Sequence, residues 1–205
     1  MKLPARPGSL TIDPNDLAVL AEGTVLWRIQ PTRGSHALPW NALRYFGPTV
    51  NRFDPHPPPP RVHADYAVSY TALDPYTTFA EVYQRGRAIN RSAGNPFLTA
   101  WRINRPLRLL DLTGAWPAAN GASHAINTGR HDHCRAWAHA IHDHPAHVDG
   151  LLHTSAMAGS RAVTLFTPAV DSFPAAPEFT RSLTDPALEP LITAAAARFN
   201  YRVTP

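Results

Sequence analysis

The chain has 205 residues, 44% of them hydrophobic and 17% charged, enough for one well-buried core and too few for two full domains. Its single cysteine, Cys134, excludes an internal disulfide and a cysteine-based zinc site, and no apolar run nears the ~20 residues that cross a bilayer. The formal charge is +4, yet the 19 basic residues, all arginine but Lys2, form no run dense enough to track a phosphate backbone, so direct nucleic-acid binding is not expected.

Along the chain, three Asp-Pro pairs predict helix starts, because Asp accepts bonds from free first-turn amides and Pro fits that turn with its fixed φ. They are Asp13-Pro14, Asp74-Pro75 and Asp185-Pro186. Helices are expected over Asp16 to Ala21, Tyr76 to Ile89 and Ala187 to Phe199, with a fourth from His131 to His142. Strands are expected over Thr24 to Ile29, Ala67 to Ala72, Leu98 to Ile103, Leu107 to Leu112, Gly150 to Thr154 and Ala162 to Phe166, with Tyr201 to Val203 the weakest. This order has no strict βαβ rhythm, and both a GxGxxG loop and a GxxxxGK[ST] loop are missing. The prediction is a single α+β domain over residues 1–205 with a mixed or antiparallel sheet core and flanking helices. The amino-terminal residues Met1 to Leu10 lack the apolar core of a secretory signal, so a cytoplasmic protein is expected. Asp54-Pro55-His56-Pro57-Pro58-Pro59-Pro60 should be stiff, extended and unable to pair in a sheet. It reads as a surface loop within the domain.

Certain short blocks stand out. They are Leu26-Trp27-Arg28-Ile29, Arg52-Phe53-Asp54-Pro55, Tyr70-Thr71-Ala72, Phe79-Ala80-Glu81-Val82, and Asp149-Gly150-Leu151-Leu152-His153-Thr154-Ser155. In this order they resemble the RES family, named for its Arg, Glu and Ser, over about residues 24 to 167, leaving 168–205 as a C-terminal extension with a helix. The resemblance implies an ADP-ribosyltransferase-like fold and a toxin that degrades NAD, typically by phosphorolysis, with inorganic phosphate as co-substrate. It further implies an Xre-like antitoxin as partner; the assembly expected is a homodimer or a toxin–antitoxin hetero-oligomer. By position, the family's arginines fall on Arg28 and Arg52, its tyrosine on Tyr70, its glutamate on Glu81 and its serine on Ser155. Two departures stand out: Thr49-Val50-Asn51 replaces a glycine pair before the second arginine, and a His-rich insertion separates Glu81 from Ser155.

These residue types suit that chemistry. Guanidiniums grip pyrophosphate oxygens bidentately, which fits Arg28 and Arg52 as clamps. Breaking the bond between nicotinamide and ribose builds an oxocarbenium-like sugar that a carboxylate, Glu81, can stabilise. Nicotinamide leaves as a neutral ring and needs no acid. Tyr70 would offer an aromatic face to the nicotinamide, and Ser155 a hydrogen bond to the ribose or an incoming phosphate. Water as acceptor would make the protein an NAD glycohydrolase, and a protein side chain would make it a mono-ADP-ribosyltransferase. A catalytically degenerate partner-binding module is the reading from another class.

All histidines but His36, His56 and His63 fall between His124 and His153. Imidazole beside carboxylate can bind zinc, but HExxH is absent and adjacent helical positions point apart. A solvated, His-rich helix without metal is expected.

Overall fold

The computed structural model describes residues 3–205. Its elements run β1 (Leu17–Leu20), β2 (Val25–Pro31), β3 (Phe46–Gly47), β4 (Arg61–Val62), β5 (Val68–Ala72), α1 (Pro75–Tyr83), β6 (Ala88–Asn90), β7 (Pro96–Arg102) and β8 (Leu107–Asp111). They continue with α2 (Trp116–Ala119), α3 (His131–His142), β9 (Gly150–Thr154), β10 (Arg161–Phe166), β11 (Phe179–Ser182), α4 (Glu189–Phe199) and β12 (Arg202–Thr204). Eight strands form one mixed sheet in the order β1-β8-β9-β10-β5-β2-β7-β11, in which only β8 and β9 are parallel among the described residues. The crossover between that parallel pair carries α2 and α3. This is the expected α+β architecture. Two small sheets, β3 with β4 and β6 with β12, lie apart from it.

Strand alternation sorts the core onto the two faces of the sheet. On one face, Val68, Leu110, Leu151 and Phe166 meet Cys134, Trp137, Ala138 and Ile141 of α3. Those four α3 residues recur at the spacing of one helical stripe, which is why the helix docks along its length. Towards the other end of the sheet Ile29 and Leu98 pack with Phe79 of α1 and Ile192 and Ala195 of α4. Leu26, Trp101, Leu107, Leu109, Val163 and Leu165 form a further cluster under Leu43 and Trp40. Gly150 opens β9 because a methyl group there would collide with the Thr164 carbonyl oxygen of the neighbouring strand.

The first two Asp-Pro pairs end sooner than expected. At Asp13 the chain makes one 3-10 turn, Pro14–Asp16, closed by the Asp13 amide donating to the Asp16 carboxylate at 2.8 Å. Asp16 to Ala21 is then not a helix, because Leu17–Leu20 pairs antiparallel with Leu107–Leu110 and is too short to propagate a helix alone. The α1 helix is capped as expected, the Asp74 carboxylate accepting from the Thr77 amide at 2.9 Å, but it stops at Tyr83 instead of Ile89. Arg87 adopts φ 46°, and Ile89, fully buried, is drawn into parallel pairing with Val203. The proline stretch is also corrected: only Pro58, Pro59 and Pro60 are exposed, while Asp54, Pro55 and His56 are buried. Asp54 is inside because polar partners, described below, satisfy its carboxylate.

Nor is α3 a solvated histidine helix. His131 Nδ1 bonds the Val50 carbonyl (2.7 Å), His133 Nδ1 that of Leu3 (3.1 Å) and His139 Nδ1 that of Pro55 (2.8 Å), so in each ring Nδ1 carries the proton. His142 stacks on Tyr66 with centroids 4.6 Å apart. The imidazoles tie loops onto the helix. Among the described residues, no group of three His, Cys, Asp or Glu side chains is arranged to hold a metal ion, and no helix is long and apolar enough to cross a membrane.

Candidate functional site

The sheet is not continuous at its middle. Strand β2 pairs with β7 over seven residues, Val25 to Pro31, but meets β5 at one pair alone, Trp27 with Ala72. Beyond that pair the strands part, and the free edge of β5 is taken by Arg44, whose amide and carbonyl bond those of Val68. A cavity of about 370 Å³ opens in the gap, within the range of small-molecule sites. Its walls come from β2 and β5, from Glu81 and Gln84 at the end of α1, from the 51–53 segment, and from Asn127 and His131 before and at the start of α3.

Four of the five side chains expected to act together line this cavity: Arg28, Arg52, Tyr70 and Glu81. Arg28 lines it from β2. Alternation places it on the face of β2 opposite Trp27 and Ile29, where its Nη1 donates to the carbonyls of Trp40 (3.3 Å) and Ala42 (3.0 Å). Among the described residues it has no carboxylate within ion-pair distance, and burial followed by the nearby charge of Arg44 brings its pKa down to about 10. A half-buried guanidinium compensated only by carbonyl dipoles is a strong attractor for an anion. Arg52 likewise donates to a carbonyl, that of Gly129 at 2.5 Å, and approaches Cys134 Sγ at 3.7 Å. Burial pushes the Cys134 thiol up, against the opposing influence of Arg52.

The fifth residue is placed differently from expectation. Ser155 is buried and does not line the cavity. Its Oγ accepts from the amides of Met157 (3.2 Å) and Ala158 (3.0 Å) in the β9–β10 turn and donates its one proton to Glu81 Oε1 at 2.5 Å. A hydroxyl so occupied cannot also donate to a ribose or a phosphate. Ser155 reaches the cavity only through its bond to Glu81, which lines it and has no ion-pair partner among the described residues. Tyr70 also spends its hydroxyl internally, donating to Asp54 Oδ1 at 2.7 Å and accepting from the Phe53 amide at 3.2 Å. Burial, then the Asp54 charge, raises its pKa far above the usual phenol value. What Tyr70 offers the cavity is its ring.

The chain matches the RES domain model over residues 25–185. It belongs to the RES domain family. This RES domain is also similar in fold to a chain of the M. tuberculosis MbcT-MbcA toxin-antitoxin complex, solved by crystallography, with a TM-score of 0.57 at 20% sequence identity. The superposition covers 87% of this chain and 92% of that one. No curated protein matches the chain.

Three further groups line the RES domain's cavity: Arg44, which stands outside the family blocks, and His153 and Phe53, which stand inside them without an assigned role. Arg44, a lone arginine between hydrophobic residues, lines the wall and pairs with Asp54 at 2.5 Å. His153 lies two residues before Ser155 and so on the same face of β9; its Nε2 meets Thr164 Oγ1 at 3.0 Å, and burial holds its pKa down to about 4. Phe53 packs on His153 with ring centroids 4.7 Å apart.

Proposed function

We propose that this RES domain binds NAD in the gap between β2 and β5 and cleaves its nicotinamide–ribose bond. The observation that carries the reading is a carboxylate and two guanidiniums sharing one cavity without neutralising one another: Glu81, Arg28 and Arg52. Charged groups are kept in half-buried places without partners at a cost in stability, and a ligand that supplies the missing charges removes that cost. A dinucleotide does so, its pyrophosphate meeting the arginines and its reacting sugar meeting Glu81.

In this reaction the bond from the ribose anomeric carbon to the pyridinium nitrogen breaks, and its electron pair returns to the ring, which leaves as neutral nicotinamide. Positive charge develops on the ribose, where the Glu81 carboxylate, oriented by Ser155, stabilises it. The acceptor oxygen then bonds that carbon. Phosphate as acceptor gives ADP-ribose 1-phosphate, water gives ADP-ribose, and a protein side chain gives an ADP-ribosyl adduct; phosphate is the acceptor we infer from the family resemblance.

The partner follows from the structural neighbour, which is part of a toxin–antitoxin complex. We extend that arrangement to this chain, as a toxin held inactive by an antitoxin over the cavity mouth. Exposed Val50, Val82 and Met157 support it: Val82 lines the cavity, and the other two adjoin the lining residues Asn51 and Ala156. Incubating the purified protein with NAD, with and without phosphate, and weighing the sugar product separates the three acceptors. Glu81→Gln is expected to lower NAD consumption at least about a hundredfold while the protein stays folded. NAD left intact by the wild-type protein under every condition overturns the enzymatic reading.

A further inference from the structure

Asp54 does not line the cavity, yet its carboxylate bonds two residues that do, Arg44 and Tyr70. It is fully buried and accepts four bonds: at Oδ1 from Arg44 Nη2 (2.5 Å) and the Tyr70 hydroxyl (2.7 Å), at Oδ2 from the Thr49 amide (2.6 Å) and the Thr49 hydroxyl (2.7 Å). Every lone pair is used, and burial, which alone would raise its pKa, is outweighed by the Arg44 charge and the Thr49 and Tyr70 bonds. Three separate segments meet on this one group: the 44–49 chain, strand β5, and the 51–54 chain that carries Arg52. Thr49, which stands in the segment replacing the family's glycine pair, supplies half of the bonds.

We propose that Asp54 is a positioning residue for the NAD reaction: its buried carboxylate fixes the Tyr70 ring and the Arg44 guanidinium on the cavity wall and anchors the chain that carries Arg52. Two consequences follow from its place. The Tyr70 hydroxyl is locked between Asp54 and the Phe53 amide, so the ring is presented to the cavity in one orientation. The charge of Arg44 is matched at 2.5 Å, which leaves Arg28 and Arg52 as the cavity cations without a carboxylate. A network with all members satisfied is rigid, and removing one member leaves the others with unpaired groups.

This inference rests on the NAD reading, and a double-mutant cycle tests it apart from that reading. Asp54→Asn keeps the shape but sets an NH₂ against donors on one side or the other. Asp54→Asn and Tyr70→Phe are each expected to lower kcat/KM for NAD about tenfold, and the double variant to fall no further than the worse single one. The rates are taken per folded protein, with the folded fraction of each variant read from its denaturation curve, so loss of folded protein does not enter the cycle; two losses that then combine to about a hundredfold overturn the positioning role, as does an unchanged kcat/KM in Asp54→Asn. If Asp54→Asn does not accumulate folded, Asp54→Glu, which keeps the charge but displaces the bond to Tyr70, carries the same cycle with the same expectation. A wild-type protein that leaves NAD intact overturns the NAD reading and this inference together; a wild-type protein that consumes NAD beside an unaffected Asp54 variant overturns this inference alone.

Discussion

At the scale of single residues, the site is organised by which hydroxyl protons are already committed. Ser155 and Tyr70 both look like substrate contacts in a linear sequence, and both have given their proton to a carboxylate of the protein, Glu81 and Asp54 respectively. Ser155→Ala therefore removes no substrate contact. It leaves the Met157 and Ala158 amides without their side-chain acceptor and lets the Glu81 carboxylate turn, so the expected result is a fall in kcat of about ten- to a hundredfold with KM for NAD little changed. Loss of the buried hydroxyl should also cost roughly 1–3 kcal/mol of stability. Steady-state kinetics beside a denaturation curve separate the two effects, and an unaltered kcat would reduce Ser155 to a turn residue. Arg28, Arg52, Tyr70 and Glu81 were legible in the sequence because each sits in a block whose neighbours repeat a family pattern. Arg44 was not, and Asp54, though it stands in the same block as Arg52, showed no role, because a buried ion pair across ten residues has no spacing that distinguishes it from two solvated charges.

Elements decide where those residues stand, and here local rules work when the segment is long or capped. The α3 helix and β9 begin and end where periodicity and the flanking residues place them, His131–His142 and Gly150–Thr154. Of the segments of three or four residues, β12 was expected within a residue of its bounds, but β6 lay hidden in the tail of a predicted helix, and β11, Phe179–Ser182, is a sheet-edge strand that buries none of its residues fully and so lacks an apolar alternation. Only pairing partners far along the chain define them. For the site the element that matters is α1, since Glu81 lies in its last turn and the helix is only nine residues long. Its start is held by Asp74, which accepts from the Thr77 amide and from the Thr77 hydroxyl at 2.6 Å. Asp74→Ala should destabilise the protein by about 1 kcal/mol. Because a short helix has little cooperativity to spare, the change should also raise proteolytic cleavage around 84–87 and lower kcat. A loss of stability with no change in either would show that packing against Phe79 alone holds the helix in place.

For the molecule as a whole, the sheet is shared between holding a core and leaving a gap, and what lines that gap makes stability depend on pH. His153 is buried beneath the cavity, and burial depresses its pKa to about 4; His56, also buried, is depressed to about 4 by burial against the opposing pull of Asp54. In the unfolded chain both titrate near the ordinary value of 6.5. Between pH 6.5 and 4 the unfolded chain takes up protons that the folded protein refuses, so stability declines through that window and levels off below it. The shift of His153 corresponds to roughly 3 kcal/mol. Asp54 acts in a different range: its pKa is lowered from 3.8, so its contribution is complete above that value and is lost only as pH falls further. Chemical denaturation at pH 7, 5.5 and 4.5 should therefore show a stepwise loss in the wild-type protein. In His153→Gln, which can still bond Thr164 but cannot be protonated, the loss should shrink to what His56 and the half-buried His142 contribute. A wild-type curve flat from pH 7 to 4.5 would mean that His153 takes a proton in the folded state, and that the cavity floor is wetter and more mobile than its packing against Phe53 implies.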